Sequence, residues 1–275
     1  MTTQTITTPS ATGPTGQQPR RSRRPSPRRL KSVAGSVLLG VVLLAAWQFV
    51  PGWTGTPSYV VPPLSDVLAA LTDPTALPRY LSNAGTTLTE VLVGLGIGVV
   101  IGLVGGIALA QFRTVYDVVF PYIVAIESIP KVAVAPLFII WFGFDLPSKI
   151  VVVVLLAFFP VLVNTIHGIR EVDRDQIELF EANGASPGQI RMKLLLPAAL
   201  PSIFSGLELA VANSMIGAIV AEFVGAQHGL GVLILQAQGG MQTAAVFALL
   251  IILSALGIVL NTIVRMARRK VVFWA

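Results

Sequence analysis

Residues 87–110 read TLTEVLVGLGIGVVIGLVGGIALA, a run with one ionisable side chain, Glu90, and no proline. An α-helix needs roughly 20 such residues to cross about 30 Å of hydrocarbon. Its backbone groups are then satisfied internally, as lipid requires. Gly94, Gly98, Gly102 and Gly106 recur every four residues and so share one helix face. Such a face lets another helix approach closely. It could serve packing within one chain or an interface between two copies.

Five further apolar runs lie at 33–50, 117–142, 150–169, 202–224 and 243–265. The 117–142 run is interrupted at Pro130-Lys131 and again at Pro136, so it reads as one kinked helix or as two pieces. The expected fold is all-α: a polytopic membrane protein with about six transmembrane helices. Composition agrees, with 54% hydrophobic and 12% charged residues and a mean hydropathy of +0.78. A soluble domain carries about a quarter charged residues. The 275 residues leave no room for a separate soluble domain.

The net charge of +6 does not point to nucleic acid, because the Arg-rich stretches flank apolar runs and read as topology signals. Residues 1–32 read as a disordered basic cytoplasmic tail with Arg20, Arg21, Arg23, Arg24, Arg28, Arg29 and Lys31. The run at 33–50 reads as a retained first transmembrane helix. The tail before it is too long for a signal peptide, and the run ends in Trp47, Phe49 and Pro51. Basic residues recur at Arg113, then at Arg170, Arg174, Arg191 and Lys193, then at Arg265, Arg268, Arg269 and Lys270. The alternate connections hold Asp66, Asp73 and Arg79, then Asp145 and Lys149, then no Lys or Arg at all. This alternation places both termini in the cytoplasm.

The cytoplasmic connection 170–201 carries helix signals. Asp173 or Asp175 can cap a helix running to Asn183, with Gly184 at its C′ position. Ser186, Pro187 and Gln189 form the start of a second helix with an S-x-x-Q capping box. Two short helices joined at a glycine are expected over 173–197.

Glu178-Leu179-Phe180-Glu181-Ala182-Asn183-Gly184, then nine residues, then Leu194-Leu195-Leu196-Pro197 resembles the EAA loop of binding-protein-dependent ABC importer permeases. The family pattern is E-A-A, three residues, G, nine residues, I-x-L-P. Leu179 and Phe180 replace its alanines, and Leu194 replaces isoleucine. Ile129-Pro130-Lys131, Ala135-Pro136-Leu137, Trp141-Phe142-Gly143, Ser148-Lys149, Phe159-Pro160, Ala221-Glu222 and Gly229-Leu230-Gly231 are similar to permeases of the nitrate, sulfonate and taurine class. The resemblance covers a core of about 80–270.

The resemblance implies the ABC importer type I permease fold in a bacterial plasma membrane. It also implies cytoplasmic ABC ATPase subunits, an extracytoplasmic substrate-binding protein and a second permease copy, most simply in a homodimer. Glu178, Ala182, Gly184, Ala185, Leu194, Leu196 and Pro197 would form the ATPase-coupling loop. The solute would be small and polar: a sulfonate, taurine, nitrate or a pyrimidine precursor.

Within the spans, Glu127, Lys131, Asn213 and Glu222 are candidates for the translocation path, and Glu90 is a further intramembrane carboxylate. Glu127 and Lys131 are four apart and could instead pair with each other. Asn164, Asn213, Ser214 and Asn261 could bond helices together.

No enzyme is expected, and no cofactor or metal. There is no cysteine, only His167 and His228, and no H-E-x-x-H or P-loop. Gly184-Ala185-Ser186-Pro187-Gly188 matches the nucleophile-elbow spacing but lacks the strand that motif requires. The alternative function is an ion-gradient-driven secondary transporter, for which an inverted repeat with interrupted helices would be expected.

Overall fold

The computed structural model describes residues 27–274, and every regular element among them is helical. Two units are distinguished. The first ends at Trp47 and holds most of α1 (Pro27–Trp53). Its apolar stretch, Gly35–Trp53, is long enough to span a bilayer. The basic tail expected over 1–32 lies, for residues 1–26, outside the described residues.

The second unit starts at Gln48. It contains α2 (Leu64–Thr72), α3 (Leu77–Gln111), α4 (Arg113–Glu127), α5 (Lys131–Phe142) and α6 (Leu146–Arg170). Then come α7 (Arg174–Ala182), α8 (Pro187–Ile190), a π-helical turn (Arg191–Leu195), α9 (Leu196–Gly225), α10 (Leu230–Gly239) and α11 (Thr243–Val271). Five helical runs, α1 among them, are long and apolar enough to cross a membrane. The α4–α5 pair makes a sixth if counted as one broken span.

That pair bends by 88°. Pro130 has no N–H to continue α4, and it drives the β-branched Ile129 before it out of helical conformation. The second interruption expected, at Pro136, does not occur: α5 runs through it. Proline alone does not break a helix here: α4, α6 and α9 likewise run through Pro121, Pro160 and Pro201.

The 35 residues of α3 measure about 52 Å at 1.5 Å per residue, well beyond the hydrocarbon thickness. The helix begins at Leu77, ahead of the apolar run at 87, so its first turns project on the outer side. Its glycine face lies against α6. A Cβ on Gly98 would sit 2.9 Å from Ala157 Cβ, one on Gly102 2.6 Å from the Phe158 carbonyl oxygen, and one on Gly106 2.7 Å from Thr165 Cβ. The stripe therefore serves packing within the chain.

On its other side α6 meets α9. Ala157 and Val161 of α6 and Ala210 of α9 form one buried cluster with Leu95, Val99 and Leu103 of α3. Val91, Val153, Val211, Met215 and Leu260 extend it to α11. Pro160 supplies no N–H to the carbonyl of Leu156 four residues earlier. Asn213 Nδ2 of α9 donates to that same oxygen at 3.4 Å. A helix defect in α6 thus becomes an interhelical bond.

Replacing Gly102 with valine is expected to destabilise the folded chain by about 1–3 kcal/mol or more, through overpacking against α6. Gly96→Ala is expected to be tolerated, because nothing lies within 4 Å of a Cβ there. Thermal unfolding in detergent compares the two; equal midpoints would show that the α3–α6 contact does not set stability.

Candidate functional site

The cytoplasmic loop is built as the residue pattern requires. Asp173, not Asp175, caps α7, its side chain accepting from the Asp175 backbone N–H at 3.1 Å. At the other end Gly184 has φ +75, a conformation costly for residues with a Cβ. The Gly184 N–H donates to the Glu181 carbonyl at 2.9 Å and the Ala185 N–H to the Phe180 carbonyl at 3.0 Å. This crossed pair is a complete Schellman motif. One residue on, the capping box closes: Gln189 N–H donates to Ser186 Oγ at 3.4 Å and Ser186 N–H to Gln189 Oε1 at 2.8 Å. The reversal between α7 and α8 is fixed by backbone and capping hydrogen bonds.

A cavity of about 410 Å³ lies in this reversal, lined by Leu179, Phe180, Asn183, Gly184, Gln189 and Lys193 among others. None of the α7 residues is buried. Glu178 is exposed, and its ion pair with Arg174 at 3.6 Å lies at the surface. Leu179, one of the two bulky residues standing where the family pattern has alanine, is 61% exposed.

From α8 the chain runs without a break into the membrane: Pro187–Gly225 is one helical path of 39 residues. The π-turn falls where Pro197 removes a donor. Leu196 N–H donates to the Arg191 carbonyl, five residues back, which lets the ladder pass the proline. Leu195 and Leu196 pack with Ile169 of α6, Ile203 of α9 and Ile107 of α3.

At the outer end of the same helix stands Glu222, 1% exposed. Its Oε1 accepts from Thr87 Oγ1 at 2.6 Å and its Oε2 from the Gly231 N–H at 2.5 Å. The Leu230 N–H donates to Thr87 Oγ1 at 2.9 Å and the Gly229 N–H to Asn83 Oδ1 at 2.7 Å. The N–H groups of Gly229, Leu230 and Gly231, which the helix cannot satisfy internally, are thus taken by side chains of α3 and α9. The Glu222 carboxylate also sits at the positive end of α10. Gly229 has φ +124, and a Cβ there would collide with the carboxylate.

The four path candidates do not converge on one site by their contacts. Glu127 and Lys131 pair with each other across the break, and Lys131 Nζ lies 5.4 Å from the Phe159 ring centre. Asn213 bonds α6, and Glu222 holds α10. Of the residues expected to bond helices together, Asn164 and Ser214 instead bond carbonyls of their own helices, Pro160 and Ala210.

Sequence reading missed the pair of Glu90 with Lys149 of α6, Nζ to Oε1 3.0 Å, both buried. It also missed α2 and α10. A signal was present: Asn83, Thr87 and Glu90 continue the glycine face of α3 at helical spacing.

Comparison with known proteins adds three kinds of likeness. The family model described as "Binding-protein-dependent transport system inner membrane component" matches residues 74–273. The chain is 34% identical over 221 residues to the formylaminopyrimidine transport permease protein ThiX of Halalkalibacterium halodurans, covering 80% of this chain and 88% of that protein. It is 32% identical over 252 residues to the putative aliphatic sulfonates transport permease protein SsuC of Bacillus subtilis, covering 92% and 91%. It is 33% identical to the riboflavin transport system permease protein RibX of Chloroflexus aurantiacus, covering 85% and 87%. A chain in an inward-facing structure of the MetNI methionine ABC transporter superposes with a TM-score of 0.62 at 24% identity, covering 73% of this chain and 99% of that one. The last is a likeness of fold.

The outer elbow can be tested alone. Thr87→Val removes a donor to Glu222 and the acceptor for Leu230, and is expected to weaken the elbow by about 1–3 kcal/mol. Hydrogen exchange over 229–239 should then quicken while α6 stays protected. Unchanged exchange in α10 would mean that these bonds do not hold it.

Proposed function

We propose, starting from the fact that this chain belongs to the family of binding-protein-dependent transport system inner membrane components, that α7 and α8 are gripped by a cytoplasmic ATPase and that α9 carries the movement across the bilayer. The chain is a multi-pass plasma-membrane permease subunit of an ABC importer, and the relatives it matches are permeases rather than enzymes. Family membership does not favour the secondary-transporter alternative.

The observation that carries the reading is the α7–α8 reversal. It is solvent-facing and hollow, and it leads into one helical path that carries Glu222 near its far end, at Gly225. In this reading Glu178 offers the ATPase a polar contact, and its exposed pair with Arg174 is too weak to hold it back. Ala182, Gly184 and Ala185 shape the turn that enters the ATPase groove. Leu194, Leu196 and Pro197 tie the loop to the membrane domain. Closure of the ATPases then biases inward-facing against outward-facing packing. ATP hydrolysis belongs to the partner subunit, since this sequence has no P-loop.

A substrate-binding protein delivers the solute on the outer face, and a second copy of the chain completes the path, a homodimer being the simplest closed pairing. The solute is small and polar. Sulfonates, taurine, nitrate and pyrimidine precursors fall within the class.

The double variant Glu178→Lys, Gly184→Val is expected to insert normally but to lose ATPase copurification and uptake. Valine at φ +75 alone costs about 1–2 kcal/mol of local strain. Solute uptake in cells and ATPase pull-down are the measurements; normal uptake in the double variant would refute coupling through this loop.

A further inference from the structure

We propose that the cavity at the membrane entrance of α9 holds one acyl chain of an anionic phospholipid of the inner leaflet, whose phosphate is taken by Arg191. The inference goes beyond transport coupling and needs only the membrane placement of the fold. The cavity measures about 330 Å³. Its walls are Ile107 of α3, Ile169 of α6, Gly188 of α8, and Met192, Leu195 and Leu196 at and after the π-turn. Its polar lining residues are Gln111 and Arg191.

The depth of the cavity identifies its neighbour. Ile107 lies in the last turn of the apolar run 87–110, and Ile169 directly precedes Arg170, where α6 ends. Both therefore stand at the inner edge of the hydrocarbon. Arg113 and Arg170, just beyond them, mark the headgroup level. A water-soluble partner meets the protein below this level, whereas an inner-leaflet lipid lies against it. The volume is at the lower end of the roughly 300–1,000 Å³ of ligand pockets. It suits a stretch of one acyl chain rather than a whole lipid.

The charge at the rim selects the headgroup. Arg191 donates through Nη1 to Gln111 Oε1 at 2.7 Å and through Nε to the Pro187 carbonyl at 3.3 Å. Both acceptors are neutral. A guanidinium has five N–H donors, so three are left over. Among the described residues no carboxylate pairs with Arg191. The two bonds steady the planar fork at the rim, and such a fork receives a phosphate in bidentate fashion. The inner leaflet presents anionic headgroups at this level. The apolar wall rewards the chain: Met192 is 68% exposed, and a chain laid along it removes that surface from water. Since Met192 and Leu195 belong to the π-turn, an occupied cavity braces that turn against α3 and α6.

The test uses the full chain, with and without its ATPase partner, in phosphatidylcholine nanodiscs containing a minor fraction of phosphatidylglycerol. Native mass spectrometry of the released protein counts the lipids retained. One phosphatidylglycerol per permease chain is expected, in preference to phosphatidylcholine and whether or not the ATPase is bound. Arg191→Gln should lower this retention about tenfold, the effect of one lost charge-assisted contact. Ile107→Trp, which fills the cavity, should abolish it. Arg113→Gln removes an 88% exposed charge outside the cavity lining and should change nothing, which separates a site from general attraction to a basic surface.

Arg191→Gln leaves the apolar walls intact, so an unchanged thermal midpoint in detergent separates lost binding from lost folding. Excess soluble glycerol phosphate should not displace the lipid, because it lacks the chain. Equal retention of the two lipids, or retention unchanged in Arg191→Gln, would overturn the proposal. Displacement by glycerol phosphate would do so as well, by showing a free-phosphate site. Loss of the lipid on ATPase binding would likewise overturn it, assigning the cavity to the contact between subunits.

Discussion

The backbone of α3 lies against α6, and most of what this protein does is arranged around that contact. Between helices in lipid there is little hydrophobic drive, because acyl chains are as apolar as leucine. Close van der Waals approach and hydrogen bonds must hold the bundle instead. Gly94, Gly98, Gly102 and Gly106 provide the approach, each leaving the room that a Cβ would fill with α6 atoms. Because that face is fixed, so is its continuation: about one to three turns further out, Glu90, Thr87 and Asn83 are delivered to Lys149, Glu222 and the start of α10.

The polar groups follow the same economy of satisfied bonds. Three of the helix defects in this bundle are answered by partners within the protein. Pro160 leaves the Leu156 carbonyl without its donor, and Asn213 supplies one from α9. Pro197 removes a donor at the membrane entrance, and a π-turn re-registers the ladder. The exposed N–H groups at the start of α10 meet Asn83, Thr87 and Glu222. A backbone that breaks regular structure inside a bilayer must find partners in the protein, so these side chains are structural before they are anything else. Glu222 and Asn213, conspicuous in the sequence as polar residues within spans, are accounted for by this duty. Among the described residues, Asn261 Oδ1 is a buried acceptor without a donor.

Much of this was legible in the residues. The spans, the loop with its caps and the broken third span follow from apolar length, Ser186 and Gln189, and Pro130. The elements that escaped are short. Leu230–Gly239 and Leu64–Thr72 are too brief to register as spans, and α10 is stabilised by residues more than a hundred positions away in sequence. Pro136 marks another limit: a proline predicts a break, yet α5 runs through it, as α6 runs through Pro160 and α9 through Pro201. The partner of Glu90 could not be named because Lys149 reads, from sequence, as a loop charge at the end of a span. Only the fold brings it inward.

One consequence follows from length alone. The path Pro187–Gly225 holds 39 residues, about 58 Å at 1.5 Å per residue. A rigid rod of that length, tilted by about 10° about its middle, moves each end by roughly 5 Å, close to one helical turn. Such a step is too large for the hydrogen bonds of Glu222 to follow passively, since they fail within a fraction of an ångström. Either α10 travels with α9 or the motion is taken up lower down. Glu222 binds α10 through Gly231 and α3 through Thr87. Near the middle of the path, Glu208 holds Arg265 and Arg268 of α11 at 3.3 Å each. Helix α9 is therefore tethered to α3, α10 and α11 along most of its length. The compliant point left is the π-turn with Pro197 and Pro201, where the ladder already lacks donors. A pull on α7 and α8 would divide there between bending the entrance and swinging the bundle as one body, and the stiffness of five residues, Arg191–Leu195, sets the ratio.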